Sequence, residues 1–165
     1  AIIPSFDSDG KLNYYVARSI DNDSFRYKNA KVRKTEITFN EIDINWNKTV
    51  ILVEGVFDAI KCPDNAIPIL GSALPTNSLL YKQIIKNQTP VIISLDPDMP
   101  EKAYKVADDI SKGGADALVC FAPTNKDLGD MSYSSVVELL NSAKRYDFFM
   151  NISHKISRIK SGSII

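Results

Sequence analysis

The acidic residues of this chain are concentrated where hydrophobic runs end. Six of them follow the runs VILV, VIISL and DALVCFA: Glu54, Asp58, Asp96, Asp98, Asp127 and Asp130. Carboxylates gathered in one place repel one another, and a divalent cation with hard oxygen ligands relieves that repulsion. In the extended D-x-D pattern of Asp96 and Asp98, alternate side chains share a face and can reach one ion. These residues indicate a site for Mg²⁺, or for Mn²⁺ in its place.

Four of these acids also suit ordinary roles in a helix cap, on a helix surface or in a turn: Asp58, Asp98, Asp127 and Asp130. Asp98 stands three residues before Glu101, in the pattern of a capping box. Asp130 is placed to cap the last predicted helix. Glu54 and Asp96 suit these roles less well, because each directly ends a hydrophobic strand. Metal binding is therefore the stronger interpretation for this pair, and capping does not exclude it for the others.

From residue 50 onward, strand patterns alternate with helix patterns. Strands are predicted at 50–53, 67–70, 90–95 and 116–121, and helices at 56–61, 77–87, 99–114 and 132–143. The alternation predicts crossovers and a parallel sheet, hence an α/β fold. Ligands of such sheets lie beyond the carboxyl ends of the strands, where the acids would meet. Gly55 is expected to turn the chain into the first helix, and Gly113 to end the third.

Residues 1–49 differ from the rest and predict a small β-rich subdomain. The stretch IIPSFDSDGKLNYYVARSI holds an Asp-Gly turn between two strand-like runs, which is a hairpin signal. The next stretch, FRYKNAKVRKTEITF, continues in β-prone residues and carries five basic ones: Arg26, Lys28, Lys31, Arg33 and Lys34. We therefore expect a subdomain with a basic face at 1–49, an α/β domain at 50–145, and a C-terminal tail or helix at 146–165.

Composition excludes several classes of protein. The chain has 20 basic and 20 acidic residues, so any binding of nucleic acid must come from a local patch. Cys62 and Cys120 form no CxxC pair, which supports neither a zinc site nor a disulfide framework. No apolar run approaches the roughly 20 residues of a membrane span, and no signal peptide is visible. A cytoplasmic protein without a membrane partner is the expectation.

The combination of VEGVFDAI, LDPD and KDLGDM resembles the Toprim domain of primases, topoisomerases, some nucleases and recombination proteins. The E-G-x-x-D and K-D-x-x-D patterns are similar to those of bacterial and phage primases. LGSALPT is similar to their small-residue turn after the second strand, with Gly71 at the bend. FDSDGKLNYYVARSI followed by RYKNA resembles their hairpin, arginine and K-Y-x-N-S motif, although Arg26 replaces the lysine and Ala30 the serine.

This resemblance implies a Toprim-like, Rossmann-like sheet in the catalytic fragment of a DNA primase, which copies single-stranded DNA into short RNA primers from NTPs. It implies three catalytic residues: Glu54, Asp96 and Asp98. The same three, with Asp58, Asp127 and Asp130, would hold Mg²⁺ or Mn²⁺. Nucleotide or template contacts are implied for five residues: Arg18, Arg26, Lys28, Asn29 and Lys126. A replicative helicase is a further implied partner, and a phage origin would place the protein in the host cytoplasm.

Several alternatives stay open at this point. Glu54 could act as a general acid or base instead of a metal ligand. The basic residues could be a solvated hairpin face. The acidic site could belong to a Toprim nuclease or topoisomerase-type fragment, or the domain could be a non-catalytic module that binds nucleic acid or a replication protein. The sequence holds neither a cysteine-rich zinc module nor the Walker motif of a fused helicase.

Overall fold

The N-terminal part of the molecule is a small antiparallel sheet. A computed structural model describes residues 1–20, 27–71, 73–98, 100–123 and 126–160 of the chain. The sheet has the order β1-β2-β3, with β1 at Ile2–Phe6, β2 at Leu12–Arg18 and β3 at Tyr27–Asn29. Gly10 takes φ +78° in the Asp-Gly turn, a conformation that suits glycine. The predicted hairpin is confirmed.

Of the β-prone stretch, only β3 joins this sheet. The residues after β3 form a single 3₁₀ turn at Lys34–Glu36, and a second one follows at Glu41–Asp43. Side chains of the hairpin bind the backbone of this segment instead of a strand ladder. The Asn13 side-chain amide donates to the Thr38 carbonyl (3.1 Å), and the Asn40 amide donates to Ser5 Oγ (2.8 Å). These bonds satisfy backbone groups that a strand would have paired.

The remainder is an α/β unit. Its strands are β4 (Val50–Val53), β5 (Ala66–Pro68), β6 (Val91–Ser94), β7 (Ala117–Val119) and β8 (Lys144–Arg145). Its helices are α1 (Val56–Lys61), α2 (Leu79–Asn87), α3 (Pro100–Lys112), α4 (Tyr133–Asn141) and α5 (Phe148–Lys160). The order is β5-β4-β6-β7-β8, with the first four strands parallel and β8 antiparallel. The predicted α/β fold is confirmed, and the two-residue β8 is an addition.

Helices cover both faces of the five-stranded sheet. Val50 and Leu52 point into the core that α2 and α3 cover, whereas Ile51 and Val53 point into the core beneath α1 and α4. All four side chains are buried. This explains why the strand reads as a continuous apolar run.

The small sheet shares a core with the α/β unit. Tyr14 and Val16 of β2 pack in one cluster with Val56, the first residue of α1, and Leu70, two residues beyond β5. Both of these partners lie at the carboxyl edge of the parallel sheet. The shared core therefore places the hairpin beside the edge where the acids are found.

Two turns differ by one residue from expectation. Leu70, not Gly71, takes the left-handed conformation after β5, with φ +58°. Gly114, not Gly113, takes it after α3, with φ +94°. Gly113 is required by space instead, because a Cβ atom there would lie 2.4 Å from Ile85 Cδ1.

The C-terminal tail forms helix α5, which packs on α3. The His154 and Tyr104 rings lie 5.6 Å apart, and His154 Nε2 lies 3.8 Å from Glu101 Oε1. No helix in the described parts of the chain combines the length and apolarity that crossing a membrane requires.

Candidate active site

The central feature of the site is a pair of carboxyl groups from two neighbouring strands. Glu54 directly follows β4, and Asp96 lies two residues beyond β6, the parallel neighbour that pairs Ser94 with Val53. The two side chains are close enough to share a hydrogen bond. Residues that are 42 positions apart in the chain therefore meet at one edge of the sheet, because parallel strands end there together.

The electrostatics of this pair are unfavourable to negative charge. Burial raises the pKa of Glu54, and the nearby Asp96 and Asp58 raise it further. Burial likewise raises the pKa of Asp96, with added repulsion from Asp127 and Asp98. Lys102 lowers the pKa of both groups, without cancelling these effects. A bound cation would stabilise the ionised forms.

Asp58 is held by backbone amides on both sides. The Gly55 N–H donates to Asp58 Oδ2 at 2.9 Å, and the Gly129 N–H also donates to this carboxylate. A Cβ atom at Gly55 or Gly129 would lie only 3.2 or 3.3 Å from its oxygens. Gly55 has an extended φ of −124°, so close approach, and not the sharp turn that we expected, is what favours glycine here. Asp58 thereby ties α1 to the 3₁₀ turn Leu128–Asp130.

Burial raises the pKa of Asp58, although the two backbone hydrogen bonds act in the opposite direction. Asp96 and Asp127 add repulsion and raise the pKa further. Asp58 is therefore near the other acids, but its carboxylate already accepts hydrogen bonds from the Gly55 and Gly129 backbone N–H groups.

Asp98, Asp127 and Asp130 are more exposed than the central pair. Asp98 lies two residues before Pro100, the first described residue of α3. Asp130 does not cap α4, because Ser132 Oγ accepts the Ser135 N–H there at 3.2 Å. The capping alternative for Asp130 is therefore not supported.

A cavity of about 840 Å³ joins the acidic edge to the small sheet. Its acidic wall consists of Glu54, Asp58, Asp96, Asp127 and Asp130. Its opposite wall includes Val16, Arg18, Tyr27 and Asn29 of β2 and β3. Asp98 is not among the lining residues, although it lies near enough to Asp96 to affect its pKa.

Arg18 places a positive charge at this cavity. Its guanidinium carbon lies 4.9 Å from the centre of the Phe57 ring and 5.6 Å from that of Tyr27. The two rings themselves meet edge-on at 6.3 Å. Cation–π attraction to both rings holds the guanidinium at the end of β2. The cavity therefore presents anionic and cationic groups together.

The other predicted nucleotide contacts are placed differently. Lys28 lies between Tyr27 and Asn29 on β3, so its side chain points to the opposite face and does not line the cavity. Lys126 is exposed and lines a separate surface depression with Asp130. Arg26 lies outside the described residues.

Two residues of the site, Phe57 and Lys102, were not found from the sequence. Tyr27 belongs to the stretch that resembles the K-Y-x-N-S motif, but its pairing with Phe57 depends on the docking of the hairpin, which no local pattern reveals. The charge of Lys102 lowers the pKa of both Glu54 and Asp96. Its place in the first turn of the helix after D-x-D was the available signal, since that turn must begin near the acidic edge.

The donor set fits a hard divalent cation, but it is not a finished metal site. Among the described residues, no three histidine, cysteine or acidic side chains converge as a ready-made metal-binding group. The adjoining Glu54 and Asp96 carboxyl groups, with their raised pKa values, are the combination that a cation would relieve. Asp98 or Asp127, both close to Asp96, could complete the set after a side-chain rotation.

Comparisons with known proteins find similarity in fold, to solved structures of DNA primases. No protein-family model matches the chain, and no curated protein matches it in sequence. Among solved structures, the Aquifex aeolicus primase, comprising zinc-binding and RNA polymerase domains, matches with a TM-score of 0.70 and 22% identity, over 88% of this chain and 40% of that chain. The DnaG primase catalytic domain bound to single-stranded DNA matches with a TM-score of 0.72 and 17% identity, over 87% of this chain and 51% of that chain.

A phage structure extends the comparison. The primase fragment of the bacteriophage T7 primase-helicase protein matches with a TM-score of 0.56 and 14% identity, over 85% of this chain and 60% of that chain. This chain spans between 40% and 55% of the first two primase structures that it matches. At these identities the likeness concerns the fold, and this chain has the fold of a DNA primase catalytic core.

Proposed function

We propose that this chain is the catalytic fragment of a DNA primase, which joins NTPs into a short RNA on a single-stranded DNA template. The observation that carries the proposal is the meeting of Glu54 and Asp96 at the carboxyl edge of the sheet, in one cavity with Arg18. The primase fold of the matched structures supports it. A nucleic-acid or replication-protein binding module would not need two repelling carboxyl groups at this edge.

A divalent cation, Mg²⁺ or Mn²⁺, is part of the proposal. When bound, it would polarise the attacked phosphate and stabilise negative charge on the leaving pyrophosphate. Glu54 and Asp96 would hold it, with Asp98 or Asp127 as further ligands. Asp58 would contribute mainly by fixing α1 against the 3₁₀ turn, since its carboxylate oxygens already accept backbone hydrogen bonds.

The residues of the chain have separable tasks. The Arg18 guanidinium, held by Phe57 and Tyr27, would bind phosphate oxygens of the incoming NTP or of the template backbone. Asn29, on the same face of β3, would hydrogen-bond the ribose or base. Glu54, whose pKa is raised by burial, could instead take the proton of the attacking 3′-hydroxyl.

The partners of the proposed enzyme follow from this function and from the matched proteins. Single-stranded DNA and NTPs would be its substrates, as suggested by the DnaG domain that was solved with single-stranded DNA. A replicative helicase is a further proposed partner, since the matched T7 fragment belongs to a primase-helicase protein. Such an enzyme would act in the cytoplasm, that of the host if a phage encodes it.

A direct assay tests the proposed function. The protein is incubated with single-stranded DNA, NTPs and Mg²⁺ or Mn²⁺, and RNA synthesis and DNA cleavage are measured separately. We expect template-dependent RNA products that disappear with Asp96→Asn and persist with Asp64→Asn, an exposed acid preceding β5 at the other end of the sheet. Cleavage without synthesis would favour a Toprim nuclease and contradict the proposal.

A further inference from the structure

Helix α5 carries a stripe of apolar residues on the side that faces away from the rest of the protein. The α5 stripe consists of Phe149, Ile152, Ile156 and Ile159, which are spaced three, four and three positions apart. At roughly 3.6 residues per turn, they fall within an arc of about 80°. Phe149, Ile156 and Ile159 are 69%, 47% and 64% exposed. A continuous apolar stripe in solvent indicates a contact surface.

The opposite side of α5 holds the helix to the protein. Met150 packs against the core that α2 and α3 cover, and the His154 ring lies 5.6 Å from that of Tyr104. On the helix circumference, Met150 and His154 lie about 140° and 180° from the centre of the α5 stripe. The packing of α5 on α3 therefore leaves the stripe pointing outward.

The spacing of the α5 stripe is that of the a and d positions of a coiled coil, which form a narrow seam. With Phe149 at position a, the g and e positions that flank the seam include Lys155 and Lys160, both exposed. The helix also contains Arg158, and its sequence has no acidic residue. The charges at e and g determine which helix can pair with a seam, so this pattern favours a partner with acidic flanks.

Other occupants suit the α5 stripe less well. A second copy would bring lysines against lysines at the flanks. The contact would be only about 20 Å long and 10 Å wide, whereas a standard interface buries roughly 800 Å² per partner. The chain has equal numbers of basic and acidic residues, so it has no general attraction to an anionic lipid surface. Isoleucine side chains offer single-stranded nucleic acid no aromatic surface for base stacking.

We propose that α5 is the docking surface for an acidic amphipathic helix of a partner protein. That helix lays its own apolar residues on the α5 stripe, and its glutamates or aspartates pair with Lys155 and Lys160. The small contact area makes the complex weak and reversible, with a Kd of about 10–100 µM. Among the described residues, those of α5 do not line the cavity at the acidic edge, so this surface is separate from the proposed reaction.

A pair of synthetic peptides tests the proposed surface. The acidic peptide has three heptads, with leucine at a and d and glutamate at e and g. The basic peptide is identical except that lysine replaces every glutamate. In ¹⁵N-labelled protein, the acidic peptide should shift the amide signals of α5 and leave those of β4 in place. The basic peptide should bind at least about tenfold more weakly, because its lysines meet those of α5.

Variants of exposed residues distinguish docking at the α5 stripe from nonspecific binding. Ile156→Glu puts a charge in the middle of the stripe and should weaken binding of the acidic peptide by about tenfold or more, with unchanged thermal stability. Ile20→Glu, the same change at a position that is 84% exposed and outside α5, should bind as wild type does. Lys155→Glu combined with Lys160→Glu should make the protein prefer the basic peptide.

Several results would overturn the inference. Equal binding of the two peptides would remove its charge basis, and the absence of shifts in α5 would remove the site. Two further controls are sedimentation of the free protein and its binding to phosphatidylglycerol vesicles. If Ile156→Glu abolishes self-association or vesicle binding while the acidic peptide does not bind, a second copy or a lipid surface covers the stripe instead. None of these measurements depends on RNA synthesis, so their failure would leave the proposed function standing.

Discussion

At the scale of single residues, the molecule concentrates negative charge where it is poorly solvated. Glu54, Asp58 and Asp96 all have raised pKa values, and burial is the largest cause for each. Such an arrangement disfavours the folded state at neutral pH. Its presence at the carboxyl edge of a parallel sheet is the strongest physical indication of function.

The first prediction concerns Asp96. Because its folded-state pKa is raised, ionisation costs stability as the pH rises above the usual range of an aspartate. Asp96→Asn should raise the melting temperature at pH 7 by about 1–3 °C and leave it unchanged at low pH, where the carboxyl group is protonated in both states. RNA synthesis should be lost. Asp64→Asn is the control, and a fall in melting temperature at pH 7 would contradict the electrostatic argument.

The second prediction concerns Arg18. Lysine keeps the charge but loses the planar group that stacks on Phe57 and Tyr27 and that forms paired hydrogen bonds to phosphate. Arg18→Lys should raise the KM for NTPs by about tenfold, with little change in stability. Arg33→Lys alters an exposed arginine that pairs only loosely with Glu36 at 3.6 Å, and should behave as wild type. Equal kinetics of the two variants would argue against a nucleotide contact at Arg18.

At the scale of elements, the site depends on ties between segments that are distant in sequence. Asp58 joins α1 to the 3₁₀ turn at Leu128–Asp130 through backbone hydrogen bonds. The hairpin is joined to the sheet edge by the buried cluster that contains Val56 and Leu70. Both ties hold loops that carry acids or line the cavity. Their loss should loosen the site before it unfolds the protein.

The third prediction tests the Asp58 tie. Asp58→Ala removes the acceptor of two backbone N–H groups, so hydrogen exchange of the Gly55 and Gly129 amides should accelerate by about tenfold or more. Exchange within β6 should stay unchanged. NMR-detected hydrogen exchange measures both. If the two glycine amides keep their protection, Asp58 does not hold these segments together.

The elements themselves were largely predictable from the sequence. The apolar runs at β4 and β6 and the helical periodicity of α2 and α3 gave their positions, since each depends on local spacing. The features that local patterns did not reveal were non-local. β8 consists of Lys144 and Arg145, two exposed charged residues with no apolar signal, and the β-prone segment after β3 is held by hairpin side chains instead of a strand partner.

The candidate site was predictable to a similar degree. Strand ends and D-x-D spacing were sufficient to predict that Glu54 and Asp96 meet, because parallel topology fixes that edge. The stacking of Arg18 on Phe57, the charge of Lys102 and the backbone bonds of Asp58 required knowledge of how the hairpin and helices dock. Arg26 and the identity of the bound metal remain predictions from the resemblance.

At the scale of the whole molecule, the small sheet and the α/β unit are expected to behave as one cooperative structure. Their shared core buries Tyr14, Val16, Val56 and Leu70 together. The fourth prediction is that β2 and β4 amides exchange with free energies of opening within about 1 kcal/mol of each other, and that Val56→Ala lowers both. A much lower value for β2 alone would mean that the hairpin opens independently.

In the proposed function, the parallel sheet gathers carboxylates to hold a divalent cation for phosphate chemistry. The most direct test is the anomalous scattering of a crystal soaked in Mn²⁺ and ATP. We expect a peak between the Glu54 and Asp96 carboxylates, with the triphosphate in the cavity beside Arg18, and no such peak in Asp96→Asn. Mn²⁺ bound elsewhere, or absent from this edge at saturating concentration, would contradict it.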